Sequence, residues 1–138
     1  MGLKDIENAI IERLQQEIAG IKVEGFPDNA TQYNFTHPIA AILVVYEGSD
    51  FTASRVLDHI NQIQILKFSC VLISRGLHAT QAHRGAYTYL DQIRESLTGF
   101  QITGFSKMQP TNEEFIGEDN GIWSFSITFS FNGRNEEA

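Results

Sequence analysis

The sequence predicts an α+β fold: a single mixed β-sheet with two amphipathic helices packed on it, in one domain spanning residues 1–138. Three observations carry this. Apolar residues recur at spacings of three and four in two separate stretches, the helical period. Residues 123–131 alternate strictly between apolar and small polar side chains, the strand period. Two apolar stretches, 39–46 and 66–73, have strand length. A chain of 138 residues buries roughly two-thirds of its unfolded surface, enough for a core without metal or disulfide staples. Its 42% hydrophobic and 20% charged content suits a packed globule and not a disordered or fibrous chain.

The elements follow in order. Leu3, Ile6, Ile10, Leu14, Ile18 and Ile21 form one stripe with Lys4, Asp5, Glu7, Glu12, Arg13, Gln16 and Glu17 between them, an amphipathic helix that Gly20 stops. Residues 22–26 read as a short strand, and residues 27–38, opened by Pro27-Asp28-Asn29 and closed by His37-Pro38, as an ordered loop. Residues 39–46 are apolar throughout, which predicts a strand buried on both faces at the centre of the sheet. Glu47-Gly48-Ser49-Asp50 reads as its end, and residues 51–60 carry no clear pattern.

From Asn61 the period is two. Ile63, Ile65, Lys67, Ser69, Val71 and Ile73 lie on one side, with Gln62, Gln64, Leu66, Phe68, Cys70 and Leu72 on the other. The first part is half polar and the second apolar, the pattern of a strand that projects beyond its own domain before Arg75-Gly76 ends it. Thr80 is an N-cap candidate for the second helix, whose stripe is Ala82, Ala86, Leu90, Ile93 and Leu97 with Tyr89 beside it and Gly99 as stop. Residues 100–108 hold a further short strand. Asn120-Gly121 is a type I′ hairpin signal pairing residues 113–117 with the alternating strand Trp123, Phe125, Ile127, Phe129, Phe131. Residues from about 133 to 138 read as a flexible tail.

Composition and motifs exclude more functions than they suggest. The longest uninterrupted apolar run has eight residues, against about twenty for a membrane-spanning helix. Lys4, Asp5 and Glu7 interrupt any secretory h-region, Ile6 breaks a myristoylation motif, and a lone cysteine fits a reducing cytoplasm. The four histidines, His37, His59, His78 and His83, lack metal-ligand spacing. Cys70 sits in an apolar stretch, where a thiol is a small hydrophobe and not a nucleophile. No Gly-x-Ser-x-Gly elbow, Walker loop or Gly-x-Gly-x-x-Gly fingerprint occurs. The sequence therefore predicts no catalytic residue, no metal and no cofactor.

The formal charge is −7, which disfavours phosphate-backbone binding. Much of it is C-terminal, where Glu113, Glu114, Glu118, Asp119, Glu136 and Glu137 face Arg134 alone. The aromatic alternation at 123–131 has no cations around it, so it reads as core and not as a stacking platform for single-stranded nucleic acid. The carboxylates flanking the hairpin turn have two readings: plain solvation, or an acidic surface turned to a partner or channel.

Two groups of residues resemble a known family. They are Phe26-Pro27-Asp28-Asn29 through His37-Pro38 into residues 39–46 and Gly48-Ser49-x-Phe51, then Arg75-Gly76-Leu77, His83-Arg84-Gly85-Ala86-Tyr87 and Leu97-Thr98-Gly99-Phe100. Together they resemble small proteins encoded in the tail-morphogenesis region of Mu-like phages and prophages, a family similar in fold to the lambda-type tail terminator, or minor tail protein U. The resemblance runs from about Ile6 to Phe131 and carries no catalytic motif. It implies a structural, non-enzymatic role: a homo-oligomeric, hexameric ring that closes the tail tube, with tube and head-completion proteins as partners. It also implies assembly in the bacterial cytoplasm and a final place in the virion tail. Candidate oligomer contacts are Phe51 beside the break, Gln62 and Gln64 on the projecting strand, and Glu113, Glu114, Glu118 and Asp119 on the hairpin. The rival class is a cytoplasmic small-ligand-binding or regulatory protein, which needs a concave pocket with convergent polar groups.

Overall fold

The computed structural model describes residues 2–26, 39–54, 58–75 and 85–136. The elements are α1 (Leu3–Glu17), β1 (Lys22–Gly25), β2 (Ala40–Phe51), β3 (Asn61–Arg75), α2 (Ala86–Leu97), β4 (Gln109–Asp119) and β5 (Ile122–Glu136). The strands form one mixed sheet in the order β1-β2-β3-β5-β4; β1 runs parallel to β2 and the other pairs are antiparallel. This is the α+β architecture that the patterning predicts.

Pairing explains the core. Strand residues alternate between faces, and the register sets Ile42 beside Leu72 and Val44 beside Cys70, then Leu66, Phe68, Cys70 and Leu72 beside Phe131, Phe129, Ile127 and Phe125. That face meets the stripe Ile6, Ile10, Leu14 of α1 and the stripe Ala86, Tyr89, Leu90, Ile93, Leu97 of α2 in one buried cluster. Each leucine, isoleucine, valine or phenylalanine among them contributes on the order of 1.5–3 kcal/mol on burial. The helices are tied to each other by Arg13, whose Nε donates to the Ser96 carbonyl at 3.0 Å while its guanidinium lies 5.2 Å from the centre of the Phe100 ring. On the opposite face Ser69 and Thr128 share a hydroxyl hydrogen bond of 2.7 Å.

Several boundaries differ from expectation, each for a physical reason. The central strand is β3, with β2 second from the edge, because β5 takes the place on the far side of β3. Residues 47–50 do not end β2. A bulge between Tyr46 and Gly48, made possible by Gly48 at φ 133°, shifts the register and lets pairing run on to Phe51 opposite Gln64. The first part of β3 is partly exposed, as its polar pattern predicts, yet it is not a free projecting edge: β2 flanks it on one side and β5 on the other. Gly85, not Thr80, is the N-cap of α2; Thr80, Ala82 and the expected loop at 27–38 lie outside the described residues.

Residues 100–108 form a turn closed by the single bridge Gln101↔Lys107 in place of a strand. The hairpin is longer than the segment 113–117, and residues 133–136, expected in a flexible tail, continue β5 along β3. Asn120 and Gly121, at φ 53° and 81°, supply the two positive values that a type I′ turn requires.

Gly133 shows how tightly the turn at 100–108 packs back on the sheet. A Cβ there would lie 2.6 Å from Cε1 of Phe105, whose ring stands edge-on to Phe131 at 5.7 Å. Gly133→Ala is expected to destabilise the protein by about 1–3 kcal/mol in chemical denaturation, the usual cost of overpacking. In the Phe105→Ala background the same substitution is expected to cost little; an equal cost in both backgrounds would rule out this contact as the cause.

Candidate functional site

The sheet has two edges of very different character. β1 is four residues long and lies against α1, whereas β4 has eleven residues, and only Gly117 among them is even partly covered. An edge strand leaves a row of backbone donors and acceptors open to pairing. β4 carries two devices that blunt such pairing: register shifts at Pro110/Asn112 and at Phe115/Gly117, and the carboxylates Glu113, Glu114, Glu118 and Asp119.

The second bulge also re-aims side chains. Phe115 pairs with Phe125 and Gly117 with Ser124, so Ile116 is the extra residue. The result is an apolar dyad on an acidic strand, with Phe115 53% and Ile116 56% exposed. Phe115 is not loose: its ring packs 5.6 Å from Trp123 and 5.4 Å from Phe125. Glu113 is anchored by Arg94 at 3.1 Å, and the same guanidinium bonds Asp91. The Asp91 hydrogen bond, with the Glu113 charge adding to it, holds Arg94 above its usual pKa range. The Glu118 carboxylate accepts the Gly121 amide at 2.8 Å and so steadies the turn. Glu114 and Asp119 meet no cation among the described residues.

The structure separates the expected contact residues into two groups. Glu113, Glu114, Glu118 and Asp119 lie together along β4. Phe51, Gln62 and Gln64 lie at the other end of the sheet, where β3 pairs with residues 133–136 of β5. Phe51 is 51% exposed, but both glutamines are engaged internally. Gln62 donates to the Thr52 carbonyl at 2.8 Å and accepts from Asn135 at 2.9 Å, and Gln64 donates to Ser49 Oγ at 3.1 Å. Phe115 and Ile116 were not singled out from the sequence, although two adjacent apolar residues between acidic pairs break the alternation expected of a half-exposed strand.

The surface carries recesses among the described residues. One of about 320 Å³ is lined by Ile63, Gly104, Asn132, Gly133 and Arg134. A second of about 250 Å³ lies between Leu3, Lys4, Glu7, Tyr46 and Phe68, and a polar one of about 180 Å³ between Glu17, Gln92, Glu95 and Ser96. Among the described residues no three potential metal ligands cluster, and no helix is long and apolar enough to cross a membrane.

With this geometry in place, comparison with known proteins adds one finding. The sequence model of a family described as Gp37 protein matches residues 10–135. No curated protein matches the chain.

Cys70 has the potential for chemistry, but its surroundings suppress it. It is 1% exposed in the core, and burial pushes its thiol from 9.0 up to about 12. The folded-state value lies above the unfolded one, so below about pH 9 both states hold the proton and stability does not depend on this group. Between pH 9 and 12 the unfolded chain ionises while the folded one does not, and stability falls by about 1.4 kcal/mol per pH unit. Denaturation of wild type and Cys70→Ala from pH 7.5 to 11 is expected to show the wild type losing more stability above pH 9, with other titrating groups cancelling in the comparison. Parallel pH profiles, or fast thiol labelling of the native protein at neutral pH, would contradict the buried, inert thiol.

Proposed function

The chain belongs to the Gp37 protein family, a phage protein family, and we propose that it is a structural, non-enzymatic tail-morphogenesis subunit that forms a ring at the end of the tail. In this reading it is a completion or terminator protein of the Mu-like type, similar in role to the lambda-type tail terminator. Its partners are further copies of itself, in a hexamer, and the tube and head-completion proteins. Assembly takes place in the bacterial cytoplasm, and the finished ring stays in the virion.

The observation that carries the proposal is β4: an eleven-residue edge strand, exposed along its length apart from Gly117, with an apolar dyad held on it by a bulge. Exposed apolar side chains backed by Trp123 and Phe125 suit a protein surface better than solvent. A ring needs heterologous contacts, in which one patch meets a different patch on the next copy, and β4 supplies one such patch. A formal charge of −7 suits a ring through which DNA must slide without sticking.

Light scattering over a wide concentration range, with electron microscopy of tails assembled with and without the protein, tests the proposal. Expected are rings, free at high concentration or seated on tube ends, and tails of uncontrolled length or without heads when the protein is left out. A strict monomer whose omission changes neither tail length nor head joining would refute the reading in favour of a ligand-binding role.

A further inference from the structure

The ring reading names an edge but not what the edge meets. On that reading, we propose that the Phe115-Ile116 dyad of one subunit seats in the recess formed by Ile63, Gly104, Gly133 and Arg134 of the next copy, with Glu114 of the first facing Arg134 of the second.

The two patches complement each other in shape. The dyad is convex and apolar, raised by a bulge. The recess is concave because two of its lining residues are glycines: Gly104 in a turn at φ 92°, and Gly133, where the Phe105 ring leaves no room for a side chain. Ile63, 42% exposed, gives it an apolar wall. The recess opens where β4 stops, because β4 leaves β5 at the Gln109↔Ser130 pair and Ser106 holds only Asn132 beyond it. No other described residue pairs with the sheet edge there.

The charges also match. Arg134 Nη1 donates to Asn61 Oδ1 at 3.1 Å and meets no carboxylate among the described residues. Glu114 meets no cation among them, whereas Glu113 already has Arg94 and Glu118 the turn amide. The free anion beside the dyad and the free cation beside the recess are therefore the pair left for each other. The competing recess at Leu3 and Tyr46 has both Lys4 and Glu7 on its rim, so it offers no net charge to an acidic strand.

Position makes the contact one between different subunits. Phe115 sits beside Phe125, and the recess sits at Gly133, eight residues further along β5. At about 3.3 Å per residue they are roughly 26 Å apart, too far for one subunit to satisfy itself. Two copies joined head to tail by one such contact leave a dyad and a recess unused at either end, so growth continues until a ring closes, whereas a twofold dimer would use both contacts at once and end the ladder at two. Like charges on β4 oppose the other outcome, two hairpins pairing edge to edge.

Disulfide trapping tests the seating. The double variant Ile116→Cys with Ile63→Cys, oxidised at high protein concentration, is expected to give a ladder of linked subunits that ends at the closed ring. Neither single variant should give a ladder, nor should Ile116→Cys with Leu3→Cys; Cys70 is buried and stays out of the reaction. A second measurement uses charge reversal. Glu114→Arg and Arg134→Glu are each expected to weaken self-association roughly tenfold or more, and mixing the two variants should restore it, because every contact in the alternating ring is again matched. Wild-type oligomers with no Ile116–Ile63 link, a ladder through Leu3, or dimers from Ile116→Cys alone would overturn the seating and leave the ring intact. A wild type that fails to self-associate in solution and on tail ends would overturn both.

Discussion

The antiparallel ladder between β3 and β5 governs the rest of the structure. It runs unbroken through fifteen residues of each strand, from Asn61↔Glu136 to Arg75↔Ile122. Because side chains alternate, this one register sends Leu66, Phe68, Cys70 and Leu72 to the helices together with Phe131, Phe129, Ile127 and Phe125. A slip of β3 by one residue would turn Lys67 and Ser69 into the core and expose Leu66, Phe68, Cys70 and Leu72, so the register is strongly specified. The same ladder makes β3 central, sends β2 to one side and β4 to the other, and thereby decides which strands become edges.

The edges then divide the labour. β1 is short and sits against α1, while β4 is long, acidic and bulged. Charge and bulges oppose indiscriminate strand addition, and the bulge that prevents it also presents Phe115 and Ile116. What remains is an edge suited to side-chain docking more than to sheet extension. The proposed ring depends on this: contacts must be specific enough to close and weak enough not to form filaments before the tail is ready.

Features with a local period were legible in the sequence. The stripe of α1, the alternation of β3 and β5, and the Asn120-Gly121 turn are each written in neighbouring residues, and each has the structure that its pattern predicts, except that α1 ends at Glu17 and leaves Ile18 and Ile21 of the expected stripe outside the helix. Features set by distant partners were not. Nothing near residues 39–46 says that β5 will take the far side of β3 and displace β2 from the centre. Gly48 between polar residues reads as a break, but the hydrogen bonds of β3 carry β2 through it. Gln62 and Gln64 read as candidate contacts because their internal partners, Thr52, Asn135 and Ser49, come from segments distant in the sequence. The recess was invisible for the same reason, since Ile63, Gly104 and Arg134 meet only after three segments fold together. The place of the carboxylates on the hairpin was legible; the apolar dyad among them was present in the sequence but masked by its charged neighbours.

Hydrogen exchange across assembly addresses the claim that β4 and the far end of β5 are the joined surfaces. Exchange would be followed by mass spectrometry in free subunits and in assembled rings or capped tubes. The expected result is slower exchange in assembled protein within residues 112–119 and within 61–64 and 131–136, with α1 and β1 unchanged. Slowing confined to α1 and β1, with β4 as fast in the ring as in the free subunit, would contradict the account.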